Sequence, residues 1–290
     1  MRRIQFIEIH EQPWFPSSLR DDITDTLHFG FNLLKVYAPI LPLLETALEA
    51  TRGPNDSGQS DNGRSVVDLC SGGGGPWLDV SRRLNSREPG GAVPGVHIQI
   101  SLTDKYPNVG AFQKVRVTSE DRITFYPGSV DAMNVPLELK GLRTMFTSFH
   151  HFSPEEARAI LQNAVDAGEG IGIFEATSRA PLTIGLVFAW VLLLFFGTPW
   201  IRPFHWSRLL WTYLVPIIPL VLLFDGVVSC LRTYQPQELR EMIGKLTASK
   251  CQYQWEIGKL SGAIGGAPIT YLIGYPRHVS QECIRAGSPR

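Results

Sequence analysis

Cysteine is scarce in this chain of 290 residues, and neither sign of charge is in excess. The cysteines form neither a CxxC pair nor a set with the spacing of a zinc site, so we expect free thiols in a reducing compartment. The 27 basic residues balance the 27 acidic ones, and the sequence has no basic stripe with interleaved aromatic residues, which argues against nucleic acid as a partner. The four cysteines are Cys70, Cys230, Cys251 and Cys283.

The sequence also lacks the pattern of a secretory signal peptide. Arg2 and Arg3 are followed by Glu8, His10 and Glu11 rather than by a continuous apolar run. We therefore expect the chain to remain on the cytoplasmic side of any membrane that it contacts. His10, Glu11 and Trp14 could touch substrate, but surface positions are favoured for them. Groups of His, Asp and Glu with metal-ligand spacing are missing too, so no metal site is predicted.

Four consecutive glycines directly after an apolar strand form the most informative segment. Residues 65–76 read SVVDLCSGGGGP, in which Pro76 suits the first position of a helix. Glycine permits a positive φ and lets a ligand approach the main chain closely, and the free N–H groups of a helix N-terminus attract electron-rich groups. The segment therefore predicts a nucleotide-type binding turn. The alternative is a flexible glycine loop.

Strands and helices alternate along the chain after this turn. Such alternation is typical of a parallel sheet covered on both faces. We predict an α/β, Rossmann-like, mostly parallel seven-stranded sheet with helices on both faces, an N-terminal helical cap, and an apolar helical hairpin inserted after the fifth strand. The predicted strands are Val66–Cys70, Val96–Thr103, Ile123–Tyr126, Thr144–Phe149, Ile171–Glu175, Gln254–Leu260 and Pro268–Gly274. The predicted core helices are Trp77–Leu84, one capped by Ser153, and Pro236–Leu246.

The predicted domain organisation follows the composition. Residues 1–60 form the cap and a linker, 61–178 and 233–290 the core, and 179–232 the insertion. Residues 180–201 carry no charge and 209–224 form a second uncharged run, interrupted by two prolines. The first run is long enough to span a bilayer, and Trp and Arg beside it suit a water–lipid boundary. A membrane-dipping hairpin is the favoured interpretation of residues 180–224. An apolar lid in a soluble protein and a dimer interface remain open.

Acidic residues follow the next two strands. Asp104, with Lys105 beside it, ends the second strand, where an acid can accept both hydrogens of a ribose diol, as in a dinucleotide fold. Ser129, Val130 and Asp131 follow the third strand, where an acid can accept an exocyclic amine of adenine.

In this order, the glycine turn and the residues after the strands resemble the class I S-adenosylmethionine-dependent methyltransferases, over roughly residues 61–178 and 233–290. The last strand is antiparallel in that family. The resemblance implies S-adenosylmethionine as cofactor, with the glycine turn on its methionine and ribose, Asp104 on the ribose hydroxyls and Asp131 at the adenine. It also implies that residues 148–151 lie beneath the sulfonium and face the acceptor. The candidate cofactor-binding residues are Asp68, Ser71, Gly72, Gly73, Gly74, Asp104, Lys105, Ser129, Val130, Asp131 and Ser148.

The resemblance has two departures. Four consecutive glycines replace the more usual alternating pattern. The gap from Gly75 to Asp104 is longer than typical, and we assign the excess to a loop at residues 85–95.

Methyl transfer from a sulfonium needs chiefly alignment with a neutral nucleophile. A base is needed only where the acceptor must lose a proton, and His150 and His151 are the candidate bases, because histidine titrates near neutrality. Both could instead only shape the floor of the cofactor site. Glu175, at the end of the fifth strand, could bind an acceptor amine or cap a turn. Asp225 is either a solvent-facing helix end or a polar group in the substrate pocket.

The function expected from these features is methyl transfer to a small hydrophobic or lipid-like acceptor at a membrane surface. Three alternatives remain open: a soluble small-molecule methyltransferase with an apolar lid, an NAD(P)-linked oxidoreductase, and a non-catalytic, membrane-anchored protein. The oxidoreductase would lack a clear GxGxxG sequence.

Overall fold

The computed structural model describes residues 2–51, 64–86, 98–247, 253–262 and 267–277. Within these ranges, seven strands form one sheet in the order β3-β2-β1-β4-β5-β7-β6. The first five strands run parallel, and β7 is antiparallel to both of its neighbours. The predicted mostly parallel, Rossmann-like sheet is therefore confirmed. The strands are Arg64–Asp68 (β1), Ile98–Leu102 (β2), Ile123–Phe125 (β3), Leu142–Phe146 (β4), Ile171–Glu175 (β5), Tyr253–Ser261 (β6) and Pro268–Pro276 (β7).

Helices cover both faces of the sheet. Side chains of successive strand residues point to opposite faces, so Val66 joins a core with α2, α3 and α4 while Val67 joins a core with α5 and α9. The helices are Ser17–Leu33 (α1), Leu41–Ala50 (α2), Trp77–Ser86 (α3), Val109–Thr118 (α4), Pro154–Ala167 (α5), Pro181–Gly197 (α6), Trp206–Leu209 (α7), Ile217–Arg232 (α8) and Pro236–Ile243 (α9).

Several predicted element ends differ from the structure. The first and fourth strands end at Asp68 and Phe146, two and three residues earlier than predicted. Cys70 and Thr147 have φ values of 57° and 44°, and such values interrupt an extended backbone. The sequence interpretation also missed α4, which Asn108 caps by accepting a hydrogen bond from the Ala111 backbone N–H. Most of the predicted linker, the loop at 87–95, Cys251 and Cys283 lie outside the described residues.

The cap and the insertion pack against each other. A Cβ atom on Gly30 of α1 would lie 2.7 Å from side-chain atoms of both Trp190 and Leu194 on α6. The glycine therefore permits a close approach of α1 to α6. A third core joins α1, α6 and α8 through Ile23, Leu194 and their neighbours.

The outward side of the insertion is apolar. Phe188, Leu192, Phe196 and Trp200 follow one another at intervals of four residues, which places them on one face of α6 and its continuation, and all four are exposed. We call the following exposed set the outer apolar face: Leu182, Phe188, Leu192, Phe196, Trp200, Trp206, Leu210, Leu214, Leu220 and Phe224.

The described part of the chain contains one helix, Pro181–Trp200, whose length and composition would allow it to cross a membrane. Two bent helix pairs would raise that number to three if each pair formed a single span. The pairs are Ser17–Leu33 with Ala38–Ala50 and Trp206–Leu214 with Ile217–Arg232.

Candidate active site

The glycine turn is held from below by a buried carboxylate. Asp68 accepts hydrogen bonds from the Ser71 hydroxyl at Oδ2 and from the Thr144 hydroxyl at Oδ1, both at 2.7 Å. Burial raises the pKa of Asp68 to about 6, although these hydrogen bonds oppose the shift. Asp68 therefore supports Ser71 at the start of the turn, and its contact with a cofactor stays a prediction.

Two of the glycines are required by close packing. A Cβ atom on Gly73 would lie 3.0 Å from the Thr24 carbonyl oxygen of α1, and one on Gly74 would lie 2.7 Å from Val115 of α4. Gly74 also has a φ of 109°, which strains any L-residue with a side chain. The turn is therefore a fixed cradle between two helices and not a flexible loop.

Asp104 faces this cradle from the end of β2. Its Oδ2 accepts a hydrogen bond from the Gly72 N–H at 2.9 Å, and its Oδ1 accepts one from the Tyr106 N–H at 2.8 Å. Burial raises the pKa of Asp104, while these hydrogen bonds and the nearby His151 oppose the rise. A carboxylate has about four acceptor sites, so Asp104 is oriented and still has acceptor capacity for a ribose diol.

The residues after β3 join the same edge of the sheet. The Val130 N–H donates to the Asp104 carbonyl at 2.9 Å, and the Ser129 hydroxyl donates to the Lys105 carbonyl at 2.7 Å. Lys105 and Asp131 form an exposed ion pair at 3.5 Å. The structure therefore brings the residues after β2 and β3 together.

The segment after β4 forms a short 3-10 helix, Phe149–His151, on a buried carboxylate. Glu175 accepts a hydrogen bond from the Phe149 N–H at 2.7 Å, and its Oε2 lies 2.6 Å from His150 Nδ1. Of the two roles considered for Glu175, the structure places it in the second: it caps the turn and orients His150. The hydroxyl of Ser148, beside them, is buried and has no hydrogen-bond partner among the described residues.

His150 is enclosed by two carboxylates. Burial alone would lower its pKa, but Glu175 on one side and Glu8 on the other raise it to about 10. The imidazole therefore holds its proton at neutral pH, which opposes the base role considered for it.

The N-terminal segment supplies functional groups that sequence reasoning placed on the surface. Glu8 is buried, with Oε1 3.5 Å from His150 Nε2 and Oε2 3.4 Å from His151 Nδ1. His151 Nδ1 also lies 2.5 Å from Glu11 Oε1. Burial tends to raise the pKa of Glu8, but the charges of His151 and His150 lower it overall. The surface positions expected for His10 and Glu11 are thus wrong, because both face this buried cluster.

Asp225 orients a third imidazole. Its carboxylate accepts hydrogen bonds from the Ile9 N–H at 2.7 Å and the His10 N–H at 3.1 Å, and Oδ2 lies 2.7 Å from His10 Nδ1. Burial lowers the pKa of His10, but the hydrogen bond to Asp225 and the charge of Glu8 outweigh it, so the pKa is raised. Asp225 is therefore a polar group of the pocket and not a solvent-facing helix end.

A cavity of about 330 Å³ adjoins these side chains. Its walls come from α1, α6, α8 and β7 and are apolar, whereas one end carries the carboxylates and imidazoles described above. A small apolar molecule with one polar group would match this arrangement. The lining includes Leu27, Phe31, Leu34, Thr147, Leu186, Trp190, Leu193, Leu222 and Ile269, and at the polar end Glu8, His10, His150, His151 and Asp225.

No family model and no curated protein matches this sequence. Among solved structures, the plantazolicin methyltransferase BpumL in complex with SAH is 10% identical, with a TM-score of 0.47 over 90% of this chain and 88% of that one. NcsB1, an O-methyltransferase from neocarzinostatin biosynthesis in complex with S-adenosylmethionine and a naphthoic acid, is 13% identical, with a TM-score of 0.48 over 87% of this chain and 56% of that one.

A structure from Rhodobacter sphaeroides, provisionally described as a zinc-dependent alcohol dehydrogenase, is 12% identical, with a TM-score of 0.48 over 89% of this chain and 98% of that one. Similarities of this size do not select between the two enzyme classes. The functional argument therefore rests on the site itself.

Proposed function

We propose that this protein transfers the methyl group of S-adenosylmethionine to a small hydrophobic acceptor. The main support for the proposal is the position of residues 147–151, the segment after β4. This segment contributes to the polar end of the cavity, and it begins at the same edge of the sheet as the glycine turn and Asp104. A cofactor on that edge and an acceptor in the cavity would meet at residues 148–151.

The residues at the sheet edge fit this cofactor. The fixed glycine cradle allows close approach of a ligand to the backbone, and Asp104 has free acceptor capacity for a ribose diol. The unpartnered hydroxyl of Ser148 adds a polar contact at the junction with the cavity. When bound, the cofactor supplies an electrophilic methyl group on a sulfonium. The protein supplies alignment of the acceptor and, where the acceptor is an alcohol or phenol, a proton acceptor.

The antiparallel strand β7 favours this cofactor over a nicotinamide dinucleotide. It lies between β5 and β6, in agreement with the antiparallel last strand of the methyltransferases that the sequence resembles. Pro76 and Trp77 also follow the glycines directly, so the GxGxxG sequence of a dinucleotide site is missing.

His10 is the proton acceptor in this proposal. Its Nδ1 lies against Asp225, which fixes the tautomer and leaves Nε2 to accept a proton. His150 is not the base in this proposal, because Glu175 and Glu8 raise its pKa to about 10. The acceptor's heteroatom forms the new bond to the methyl carbon, the electron pair of the broken carbon–sulfur bond remains on sulfur, and the acceptor's proton passes to His10.

Replacement of Asp104 by Asn tests the cofactor. Loss of a charge-assisted interaction with the ribose should weaken S-adenosylmethionine binding by about 5–150-fold, since such hydrogen bonds contribute roughly 1–3 kcal/mol. Calorimetry on detergent-purified protein would measure the affinities for S-adenosylmethionine and NADH in parallel. The matched control is Asp166→Asn, an exposed carboxylate on α5. Unchanged affinity in Asp104→Asn would remove Asp104 from the site. NADH binding instead of S-adenosylmethionine binding would favour the oxidoreductase, and binding of neither by folded wild-type protein would favour a non-catalytic protein.

We further propose that the outer apolar face lies against the lipid surface of a membrane, on its cytoplasmic side, and that the acceptor enters from there. The inner side of α6 packs on α1 and α8 and lines the cavity, so only its outward side is available to lipid. That arrangement suits a helix lying in the interface better than one surrounded by lipid. The exposed Trp200 and Trp206 match the preference of tryptophan for the water–lipid boundary.

Liposome flotation tests the membrane contact. The triple variant Phe188→Ser, Leu192→Ser, Phe196→Ser should partition into liposomes at least about 1,000-fold less than the wild type, because burying each of the three large apolar side chains contributes roughly 1.5–3 kcal/mol. The control replaces Val117 and Leu137 with Ser, two residues exposed elsewhere on the molecule. If wild-type protein stays with the dense fractions and is a monodisperse monomer without detergent, α6 and α8 form only a lid. A monodisperse dimer would instead assign the face to self-association.

A further inference from the structure

Glu8, His150 and His151 bring together three potential metal-ligand atoms at the polar end of the cavity. Each residue contributes one nitrogen or carboxylate oxygen, and the three atoms lie within 4.8 Å of one another. The two histidines are adjacent in the sequence, whereas Glu8 is more than 140 residues away. For this reason spacing along the chain predicted no metal site, and only the fold assembles the three ligands.

The separations between the two histidine nitrogens and the two oxygens of the Glu8 carboxylate match those of ligand atoms around one cation, and His151 Nδ1 is in addition 2.5 Å from Glu11 Oε1. His150 Nε2 lies 3.5 Å from Glu8 Oε1, and His151 Nδ1 lies 3.4 Å from Glu8 Oε2. Ligand atoms about 2.1 Å from a tetrahedral Zn²⁺ are separated by about 3.4 Å. His150 is 1% exposed, and its Nε2 faces this group without a hydrogen-bond partner among the described residues. An unpartnered buried nitrogen therefore points into the cluster.

The surroundings of the cluster orient its members as those of a metal site do. The other nitrogen of His150, Nδ1, lies 2.6 Å from Glu175, which is the carboxylate–histidine pairing commonly found behind metal-binding imidazoles. Ser229 donates to Glu8 Oε1 at 3.0 Å. Glu11 lies beside His151, and Arg232 bridges Glu11 and Glu8 at 3.0 and 3.5 Å.

A second group of similar composition provides a contrast. Asp22, Asp25 and His205 also converge, but the guanidinium of Arg208 lies between the two carboxylates, 3.0 Å from Asp22 and 2.7 Å from Asp25. The guanidinium of Arg208 already fills the centre of that group, whereas among the described residues the guanidinium nearest to Glu8, that of Arg232, lies 3.5 Å from Oε1. This difference selects the first group.

We propose that Glu8, His150 and His151 bind a divalent transition-metal ion of the zinc class, with an open coordination position toward the cavity. Two imidazoles and one carboxylate are the ligand set of several catalytic zinc sites. The use of the ion rests on the proposed methyl transfer: coordination would place an acceptor oxygen at the polar end and favour its deprotonation, and the His10–Asp225 pair remains free to take the proton.

Titration of the full-length, metal-stripped protein with Co²⁺ tests this proposal through visible d–d absorption. The wild type should show the intense bands of low-coordinate Co²⁺, and Zn²⁺ should abolish them by competition. Glu8→Gln and His151→Gln should lose the bands. Glu175→Gln should weaken Co²⁺ binding by about 10–100-fold, as loss of a residue that orients a ligand does. His205→Gln, in the contrasting group, should bind as the wild type does.

Thermal unfolding separates metal binding from misfolding. Zn²⁺ should raise the Tm of the wild type and of His205→Gln but leave that of His151→Gln unchanged. A cooperative unfolding transition of His151→Gln without metal shows that this variant is folded. Absence of Co²⁺ bands in the wild type, or undiminished bands in both ligand variants, would overturn the proposal. Calorimetry with S-adenosylmethionine on the same samples tests the methyl-transfer proposal separately. Co²⁺ binding without S-adenosylmethionine binding would support the metal site and contradict only the use of the ion in methyl transfer.

Discussion

Replacement of Arg208 by Ala is expected to lower the free energy of unfolding by about 3–5 kcal/mol, the usual cost of leaving buried charges without their partner. Arg208 is 1% exposed, and its guanidinium contacts Asp22 and Asp25 of α1 and donates to the Pro203 carbonyl at 2.8 Å. Both carboxylates are buried as well. The variant would therefore leave two acidic groups in the interface between the cap and the insertion. Chemical denaturation in detergent measures the loss.

Two further variants identify the cause of that loss. Arg202→Ala removes an exposed arginine of the same segment, whose hydrogen bonds within the described ranges go to backbone carbonyls, and should change stability by less than about 1 kcal/mol. The triple variant Arg208→Met, Asp22→Asn, Asp25→Asn removes the charges together and should recover most of the loss, because buried charged groups can be replaced collectively at little cost. A loss in Arg208→Ala no larger than that in Arg202→Ala would show that this contact does not join the two elements.

The sheet could be predicted because its signals are local. The glycines after an apolar strand mark a sharp turn, and the capping box of Ser153 and Glu156 marks the start of α5 in the sequence as it does in the structure. The ends of β1 and β4 were less predictable. Cys70 and Thr147 are residues that suit a strand, and nothing in their side chains indicates the positive φ that both adopt. Thr147 accepts a hydrogen bond from the Ala176 N–H at 3.0 Å.

The polar end of the cavity could be predicted only in part. His150 and His151 follow a strand end, a position at which ligand contacts are expected in such sheets. Glu8 and His10 have no such signal, because they precede the first helix in a segment without regular structure and reach the site through tertiary contacts alone. One sequence signal was available for Asp225: it is an acidic residue directly after an uncharged run of 16 residues. A charge in that setting is expensive unless it is paired, which favours a partner such as His10.

The insertion shows why hydrophobicity alone could not select between a lid and a membrane contact. Val191 and Leu194 of α6 are buried, while Leu192 and Phe196 of the same helix are exposed. All four are equally apolar in the sequence. The two inward residues pack in the core that joins α1, α6 and α8, and the two outward residues belong to the outer apolar face, so the lid and the membrane interpretations concern different sides of one helix.

Replacement of His10 by Gln is expected to reduce kcat by about 10²–10⁴-fold, the range typical of losing a general base, with a much smaller change in KM. The measurement is transfer of labelled methyl groups from S-adenosylmethionine into a lipid extract at saturating cofactor. His205→Gln is the control, because that imidazole lies on the insertion, in contact with Asp22 rather than with the cavity. Full kcat in His10→Gln, with the cofactor bound normally, would move the proton acceptor to another group or show that the acceptor carries no proton to lose.

The pH dependence distinguishes a base from a group that only shapes the pocket. His10 must be neutral to accept a proton, so kcat should rise with pH through its pKa, which is raised above its ordinary value of 6.5. In Asp225→Asn the negative partner is absent and burial, which lowers the pKa, acts with less opposition. The rising limb should therefore move to lower pH while the plateau falls, because the weaker base accepts the proton less readily. If kcat of Asp225→Asn rises with pH over the same range as kcat of the wild type, the ionisation of His10 does not determine that rise. Relative to the wild type, Asp225→Asn should therefore have a higher kcat at low pH and a lower kcat at high pH. A loss of pocket shape alone would lower kcat equally at both.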